Sequence, residues 1–574
     1  MPPPSRPPSR SRRPPVRRPR LPKAASGRER TRRVRMLTGV AVMLLVLLGA
    51  RAAFLGTVRA DDLSARGKEA HRHQVDLLAP RGSLVAADGT DLATDRLAVD
   101  VTASPDLVTD DSGVAAQLAP ILKRDPNDLA NTLAQAGRYA VLARDVPPRA
   151  ADRARDLGIA GIYFSDTYQR FVAAGPMAAQ VIGLTGDERQ GLSGMEKELD
   201  ENLTGTPGQR LEVRDVFGRP IQTLSDTEAV PGQDVQLTLV PTIQQQVESV
   251  LAETRESTGA KSAMAVVMDP RDGSILAMAS VPRFNPNQRA TLNPELERNR
   301  PVVDTFEPGS TFKIATMAAA LEEGKVTPST VFNVPDNISL YDGEVTLKDA
   351  HEHETEDMTA TQILEESSNV GVYKIALRVG KDRLLDYYKR YGFGQPTGID
   401  FPGEDPGFVL PGDRWFGSGI TNVPIGQGVR VTLAQLTRAY AAIANGGYMV
   451  TPHLVKGAGG VDRRIMHAAT AKKIDRMLRK VVSEQGTGEL ANVKGYEVAG
   501  KTGTAEKIDP TTGRYSDTKF TSSFVGYAPA DDPQLLIAVV VDEPGGGTYY
   551  GGDVAAPAFE KIAEFSLQNM RILP

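Results

Sequence analysis

Hydrophobic positions in the C-terminal half of the chain follow a helical period around one stretch, FEPGSTFKIATMAAALEEG, which runs from Phe306 to Gly324. Apolar side chains recur there every three or four residues, which predicts a mostly buried helix, and Gly324 is a helix stop signal. Ser310 lies where this helix begins. Lys313 follows three positions later, so we expect its side chain on the same helical face as the Ser310 hydroxyl.

Strand patterns occur on both sides of this helical region. Two pairs of apolar runs, each joined by a short turn with Asp, Pro or Gly, predict hairpins of Ala263–Met268 with Ser274–Ser280 and of Ser523–Ala528 with Leu535–Val541. An antiparallel sheet built from both ends of one domain, with helices packed on it, is an α+β fold. The helical pattern of Ala558–Leu567 predicts a C-terminal helix that covers this sheet.

The region from Asp61 to about Glu228 mixes short strand-like and helix-like patterns and contains no catalytic constellation. The turn Asp88-Gly89-Thr90 predicts a hairpin in its first part. We interpret the region as an elongated, mixed pedestal or docking domain. Its acids Glu196 and Asp200 have a helical setting, where such side chains are usually solvated.

A continuous apolar pattern, MLTGVAVMLLVLLGA, occupies residues 36–50. Extended to Val58, with Arg51 snorkelling outward, it is long enough to predict one transmembrane helix at residues 36–58. A cleaved signal peptide is the alternative, because Ala50-Arg51-Ala52 has the form of a cleavage site. We favour a retained anchor, because the basic region before it is longer than the charged end of a signal peptide.

Charge is distributed unevenly along the chain. Residues 1–35 contain thirteen Lys or Arg, nine Pro and one acid, Glu29, whereas the whole chain has a net charge of -4. Such a tail cannot bury enough apolar surface to fold, so we expect it to be disordered. The apolar segment that follows the tail argues against a nucleic-acid-binding arm. The positive-inside rule predicts that the tail is cytoplasmic. The chain has no cysteine, which excludes disulfides and thiolate metal sites.

Three short motifs carry the candidate chemistry. Ser310 and Lys313 form S-x-x-K, in which a neutral lysine can take the proton of a serine nucleophile. Ser367-Ser368-Asn369 precedes a second helical pattern, and Lys501-Thr502-Gly503-Thr504 lies in a glycine-rich, strand-like setting. Each motif is weak alone. In this order they match the set typical of penicillin-binding proteins and class A β-lactamases, with Ser368 in place of the middle Asp of S-D-N.

The chain resembles the class B penicillin-binding proteins, which are membrane-anchored peptidoglycan D,D-transpeptidases, and within them the division-type, FtsI-like branch. The resemblance covers nearly everything after residue 35 and includes the runs GLSGMEKELDENLTGTPG, FEPGSTFK, ESSNVGVYKIA and AGKTGTAE. The first hairpin departs from it, because Val85-Ala86-Ala87-Asp88-Gly89 lacks the Asp-Arg pair that relatives usually show. The resemblance implies a pedestal or dimerisation domain at residues 59–230 and a penicillin-binding transpeptidase domain, with a helical subdomain, at residues 231–574.

The resemblance also implies a role for each motif residue. Ser310 is acylated by a stem peptide or a β-lactam, with Lys313 as the base, and backbone N–H groups of Ser310 and Thr504 form the oxyanion hole. Ser367 relays a proton, Asn369 holds Lys313 and the substrate amide, and Lys501 contacts Ser367. The residues that bind the substrate are Thr502, Gly503 and Thr504. No cofactor and no metal are implied.

Other functions and partners stay open at this stage. A D,D-carboxypeptidase or β-lactamase-type hydrolase has the same motifs, and a non-enzymatic penicillin sensor or division scaffold is a third possibility. The resemblance implies an FtsW-like glycosyltransferase of the SEDS type and other divisome proteins as partners.

Three further features of the sequence are predicted to have no catalytic role. We interpret the polar run from His351 to Glu354 as a solvated loop and not as a metal site. Gly426-Gln427-Gly428 is too short for a phosphate loop and resembles the turn that this family has near its site. Trp415 is predicted to pack or to line the rim of a cleft.

Overall fold

The computed structural model describes residues 27–70, 72–214, 220–288, 292–343, 345–415, 419–509 and 511–574. The helices of the N-terminal part are α1 (Gly27–Thr57), α2 (Ala60–Ala70), α3 (Asp111–Leu122), α4 (Pro126–Leu133), α5 (Pro148–Arg155), α6 (Ala179–Ile182), α7 (Gly194–Glu198) and α8 (Asp200–Leu203). Its strands are β1 (Arg72–Leu77), β2 (Leu84–Val85), β3 (Asp91–Ala103), β4 (Ala140–Val146), β5 (Ile162–Val172), β6 (Gly208–Arg214), β7 (Pro220–Thr227) and β8 (Val235–Gln236).

The C-terminal part is richer in helices. They are α9 (Pro241–Thr258), α10 (Pro294–Glu297), α11 (Arg300–Val303), α12 (Lys313–Glu322), α13 (Ala360–Glu365), α14 (Asn369–Val379), α15 (Lys381–Arg390), α16 (Gly419–Asn422), α17 (Leu433–Ala444), α18 (Ala468–Val481), α19 (Gly551–Val554) and α20 (Ala556–Asn569). The strands are β9 (Ser262–Met268), β10 (Ile275–Val281), β11 (Val331–Val334), β12 (Asn337–Leu340), β13 (Val345–Lys348), β14 (Glu356–Thr359), β15 (Phe408–Val409), β16 (Val429–Arg430), β17 (Tyr448–Thr451), β18 (Gly460–Arg464), β19 (Ala499–Ile508), β20 (Tyr515–Ala528) and β21 (Leu535–Asp542).

The described residues form two compact units. One contains residues 27–76 and 209–227, with the helices α1 and α2 and a three-stranded sheet in the order β1-β6-β7. Within α1, the segment Thr31–Thr57 is long and apolar enough to cross a membrane. Residues 27–35 of the predicted disordered tail are helical, since arginine is a good helix former, and the rest of that tail lies outside the described residues.

The second unit, residues 77–208 and 228–574, is built on a five-stranded antiparallel sheet in the order β10-β9-β21-β20-β19. The two predicted hairpins are confirmed, and the later hairpin pairs with the earlier one through β21 and β9. The α+β prediction is therefore correct. The predicted boundary between residues 230 and 231 stays a prediction, since both sides of it lie in this unit.

Both faces of the central sheet are covered, because every residue of β9 is buried. One face packs against α9 and α20 through side chains such as Val247, Leu251 and Phe559. The other face packs against α17 and α18, where Leu436 and Met477 belong to the largest apolar core. The turn that precedes α12 contacts the edge strand β19.

The N-terminal part of the same unit holds a buried ion network that corrects one expectation. Glu196 is buried, not solvated, and its carboxylate accepts hydrogen bonds from Arg81 at 2.7 Å and from Arg170 at 2.6 Å. Asp200 accepts from Arg81 at 2.6 Å, and Asp95 pairs with Arg170 and accepts from the Arg81 backbone N–H. Opposite charges brought together from distant parts of the chain make burial of these carboxylates possible.

Candidate active site

Ser310 lies in a 3₁₀ turn, Gly309–Phe312, immediately before α12. Gly309 has φ +53° and its N–H donates to the carbonyl of Gly426 at 3.1 Å, so the predicted turn of Gly426 to Gly428 supports the nucleophile loop. On the other side, the Tyr440 hydroxyl donates to the carbonyl of Thr311 at 2.9 Å. These contacts hold the Ser310 backbone at the floor of a cleft.

Lys313 is fully buried and connects two of the predicted motifs. Its Nζ donates to the Ser367 carbonyl at 2.5 Å, to the Ser367 Oγ at 3.3 Å and to the Asn369 Oδ1 at 2.7 Å. In the part of the chain that the structure describes, Lys313 makes no hydrogen bond to the Ser310 hydroxyl. Its N–H groups are directed at Ser367 and Asn369, and its role as the base for Ser310 stays a prediction.

Burial changes the proton affinity of both site lysines. It lowers the pKa of Lys313 to about 7, although the nearby Asp349 carboxylate acts in the opposite direction. The pKa of Lys501 is lowered well below its ordinary value by burial and, to a smaller extent, by the charge of Lys313. A substantial fraction of Lys313 is therefore neutral near pH 7, as a base requires.

The segment Ser367-Ser368-Asn369 is held in an unusual backbone conformation. Ser367 has φ +63°, which is strained for a residue with a Cβ, and Ser368 is the N-cap of α14. Asp349 fixes this segment: it accepts from the Ser368 Oγ at 2.6 Å and from the N–H groups of Asn369 and Val370. The sequence analysis did not identify Asp349, because it lies in a loop with no local signal of this contact.

The third motif is on the edge strand β19. The Lys501 Nζ donates to the carbonyl and the Oγ1 of Thr502, each at 3.3 Å, and within the described residues it makes no hydrogen bond to Ser367. The Thr502 and Thr487 hydroxyls lie 2.9 Å apart, and Thr504 Oγ1 accepts from the Gly551 N–H at 3.0 Å. The strand thus presents two oriented threonine hydroxyls.

The three motifs meet in one cleft of about 290 Å³. The predicted site residues that line it are Ser310, Ser367, Asn369, Thr502, Gly503 and Thr504. Lys313 and Lys501 are buried side chains bonded to these lining residues. The structure therefore brings all the sequence-predicted site residues together, although their chemical roles stay predictions.

The cleft also contains residues that the sequence analysis missed or assigned elsewhere. His351, Glu366, Thr487 and Tyr550 line it, and the rings of His351 and Tyr550 lie 5.6 Å apart. Glu366 directly precedes the Ser367-Ser368-Asn369 motif, whereas no motif spacing links His351, Thr487 and Tyr550 to the site, so only the fold could reveal these three.

The structure describes the features that were predicted to have no catalytic role. The run from His351 to Glu354 is largely exposed, but His353 Nε2 lies 3.2 Å from an Asp349 oxygen. No group of three or more His, Asp or Glu with metal-holding geometry occurs among the described residues. Trp415 is buried, and its indole N–H donates to the carbonyl of Leu410.

Two known protein families match this chain. Residues 263–564 match the family described as "Penicillin binding protein transpeptidase domain", and residues 76–237 match "Penicillin-binding Protein dimerisation domain". The chain belongs to the class B penicillin-binding proteins. This penicillin-binding protein is 36% identical over 456 residues to "Penicillin-binding protein PbpB" of Mycolicibacterium smegmatis, covering 76% of this chain and 70% of the relative.

Another relative and two solved structures support the same assignment. "Peptidoglycan D,D-transpeptidase FtsI" of Escherichia coli is 36% identical over 440 residues, covering 76% of this chain and 74% of that protein. Penicillin binding protein 3 of Mycobacterium tuberculosis, solved in complex with aztreonam, has a TM-score of 0.67 and 32% identity over 87% of this chain and 98% of that one. A peptidoglycan synthetase from Bifidobacterium adolescentis has a TM-score of 0.69 and 27% identity, covering 88% and 97%.

Proposed function

We propose that this penicillin-binding protein is a serine D,D-transpeptidase that crosslinks peptidoglycan stem peptides through an acyl-enzyme on Ser310. The observation that carries the proposal is the set of contacts of Lys313: a buried amine with a pKa of about 7 bonds to Ser367 and Asn369 in the cleft that Ser310 lines. A buried lysine of this kind can be neutral near pH 7, which suits it to act as a base.

In the acylation step, neutral Lys313 takes the proton of the Ser310 hydroxyl. The Ser310 Oγ attacks the penultimate D-alanine carbonyl, and the peptide C–N bond breaks. Ser367, whose Oγ lies 3.3 Å from the Lys313 Nζ, relays the proton to the leaving amine of the terminal D-alanine. Asn369 holds Lys313, whose Nζ donates to its Oδ1, and also holds the substrate amide.

The edge strand supplies binding and charge stabilisation. The Thr502 and Thr504 hydroxyls bind the substrate carboxylate, and that negative charge favours the protonated form of the buried Lys501, whose positive potential then assists them. The backbone N–H groups of Ser310 and Thr504 donate to the oxyanion, and such a donor contributes roughly 3 to 4 kcal/mol to transition-state stabilisation. A β-lactam acylates the same hydroxyl.

The cellular setting is inferred from the helix α1 and from the named relatives. The Arg-rich segment before Thr31–Thr57 stays in the cytoplasm and the catalytic unit is exported, so the chain is a single-pass membrane protein. A relative named FtsI supports a role in septal wall synthesis. An FtsW-like glycosyltransferase and divisome proteins are the partners proposed from the family resemblance alone.

The test is mass spectrometry of protein treated with a penicillin, wild type against Ser310→Ala. We expect the wild type to gain the mass of one penicillin and the variant to gain none, because alanine has no hydroxyl to acylate. Ser329→Ala, at an exposed serine hydrogen-bonded to Thr327, is a matched control that keeps the mass gain. A folded wild type that takes no label would contradict the proposal and favour a non-enzymatic scaffold.

Transpeptidation is separated from hydrolysis by the products. With a stem peptide ending in D-Ala-D-Ala as donor, we expect an added primary amine to appear in an amide product. Release of only the shortened free acid, at any amine concentration, would instead identify a carboxypeptidase.

A further inference from the structure

The catalytic cleft adjoins a second cavity. This adjoining cavity has a volume of about 310 Å³ and shares the lining residues Ala350, His351, Glu366 and Thr487 with the cleft of Ser310. Its other walls come from the loop after β13 and from the turn after α18, including His353 and Gln485. Space for a second ligand therefore lies next to the cleft that contains the reacting serine.

The two cavities differ in their polar lining. In the cleft of Ser310, the hydroxyls of Thr502 and Thr504, with Lys501 bonded to Thr502, suit a carboxylate. Glu366 lines both cavities and is the residue immediately before Ser367. Ser310, the threonines that suit the donor carboxylate and Glu366 thus line the same cleft.

The Glu366 carboxylate is free to take a cationic partner. In the described part of the chain it has no hydrogen bond and no ion pair, whereas the neighbouring Asp349 is engaged by Ser368, Asn369 and His353. Burial raises the pKa of Glu366, the charges of Glu356 and Glu365 raise it further, and the charge of His353 acts in the opposite direction. A positive group beside Glu366 would relieve this repulsion.

The chemistry of the cavity favours an organic cation over a metal ion. No metal-holding group of three acidic or histidine side chains is found within the described ranges. The cavity is large enough for a side chain that carries an amine, and the proposed reaction requires a primary amine as its second substrate.

We propose that the cavity beside Glu366 is the acceptor subsite, and that Glu366 pairs with the primary ammonium group of the acceptor stem peptide. This inference rests on the proposed transpeptidase function and assigns the acceptor end of that site. Glu366 is a specificity-determining residue for the amine, whereas the donor peptide is recognised by Thr502 and Thr504.

The acceptor step converts the Ser310 ester into an amide and frees the serine hydroxyl. The bound ammonium loses one proton to water at the open mouth of the cleft, and the neutral amine nitrogen attacks the ester carbonyl carbon of the Ser310 acyl-enzyme. A C–N bond forms and the C–O bond to Ser310 breaks. A second proton passes from the nitrogen through Lys313 to the Ser310 Oγ, which leaves an amide and a free hydroxyl.

The experiment measures acylation and acceptor use separately in Glu366→Gln. The acceptor is a stem tripeptide with a free primary amine on its third residue, and the donor is a stem pentapeptide ending in D-Ala-D-Ala. We expect the KM for the acceptor to rise about fivefold at low salt, the scale of one partly exposed charge pair. The difference shrinks in high salt, and the rate of labelling by a fluorescent penicillin is retained.

Two variants test whether the effect belongs to this position. Glu365→Gln removes the same charge one residue earlier, from a side chain that lines neither cavity, and keeps the wild-type acceptor KM. Asp553→Asn removes a carboxylate that lines the cleft but not the second cavity, so its effect on the acceptor KM is smaller than that of Glu366→Gln.

The outcomes distinguish this inference from the proposed function. Normal penicillin labelling with an unchanged acceptor KM in Glu366→Gln would overturn the acceptor subsite alone. Equal losses of labelling and of acceptor use would also overturn it, since Glu366 would then only support Ser367. A wild type that takes no penicillin label would instead contradict the transpeptidase function.

Discussion

At the scale of single residues, the protonation state of Lys313 controls the proposed chemistry. Its ordinary pKa of 10.5 is lowered to about 7 by burial, so the neutral fraction rises as the pH rises through 7. Among the residues that the structure describes, no carboxylate forms an ion pair with this amine that would fix its charge. The amine donates to neutral oxygens of Ser367 and Asn369.

The first residue-scale prediction concerns pH. We expect the rate of penicillin acylation to rise about tenfold from pH 6 to pH 8 and then to level off, because neutral Lys313 is the base. Stopped-flow labelling with a fluorescent penicillin measures this profile. A rate that is flat across this range would show that Lys313 does not take the serine proton.

The second residue-scale prediction concerns Asp349, a positioning residue that does not touch the reacting atoms. Its carboxylate raises the pKa of Lys313, so Asp349→Asn is expected to move the midpoint of the acylation profile to lower pH. The asparagine keeps the shape and can still accept from the N–H groups of Asn369 and Val370. An unchanged midpoint with a slower rate would mean that Asp349 acts through structure only.

At the scale of elements, the site depends on close contact between the nucleophile loop and the edge strand β19. A Cβ built on Gly503 would lie 2.4 Å from the Ser523 Oγ, 2.9 Å from the Thr311 Cγ2 and 3.0 Å from the Pro308 carbonyl oxygen. Only glycine fits there, because the strand touches both its neighbour β20 and the turn that carries Ser310.

Gly503→Ala is therefore expected to lower the stability by about 1 to 3 kcal/mol and to slow acylation, since the turn before α12 must move. Thermal unfolding and penicillin labelling measure the two effects. Thr518→Ala, at an exposed position of β20, is the control and should change stability by no more than about 0.5 kcal/mol. Equal behaviour of the two variants would contradict the packing argument.

At the scale of the whole molecule, the N-terminal part of the larger unit is joined by the ion network around Glu196. Arg81 donates to Glu196 and Asp200, and Arg170 connects Glu196 to Asp95. Asp95 lies in β3, Arg170 in β5, Glu196 in α7 and Asp200 in α8, so the network connects these four elements. Removing one partner leaves a buried charge without compensation.

Arg81→Ala is expected to lower the stability of the larger unit by about 3 to 5 kcal/mol. The control Lys561→Ala breaks an exposed pair with Glu253 and should change stability by less than about 1 kcal/mol. Unfolding of the two variants in urea, followed by circular dichroism, compares them. A small effect for Arg81→Ala would mean that water reaches Glu196 in solution.

The sequence by itself determined features that depend on local spacing. The alternating and apolar runs of β9, β10, β20 and β21 predicted the two hairpins, and the three-residue spacing predicted Ser310 and Lys313 at one helix start. These predictions succeeded because side-chain direction in a strand or helix follows from position alone. The family resemblance then connected three motifs that are far apart in the chain.

Only the tertiary structure decided which groups meet across these elements. It directed the Lys313 amine to Ser367 and Asn369 and not to the Ser310 hydroxyl, and it placed Asp349 and Glu366 at the same site. It also buried Glu196 among arginines where a helical pattern indicated solvent. Such contacts join residues separated by 19 to 115 positions, and no local period encodes a partner at that distance.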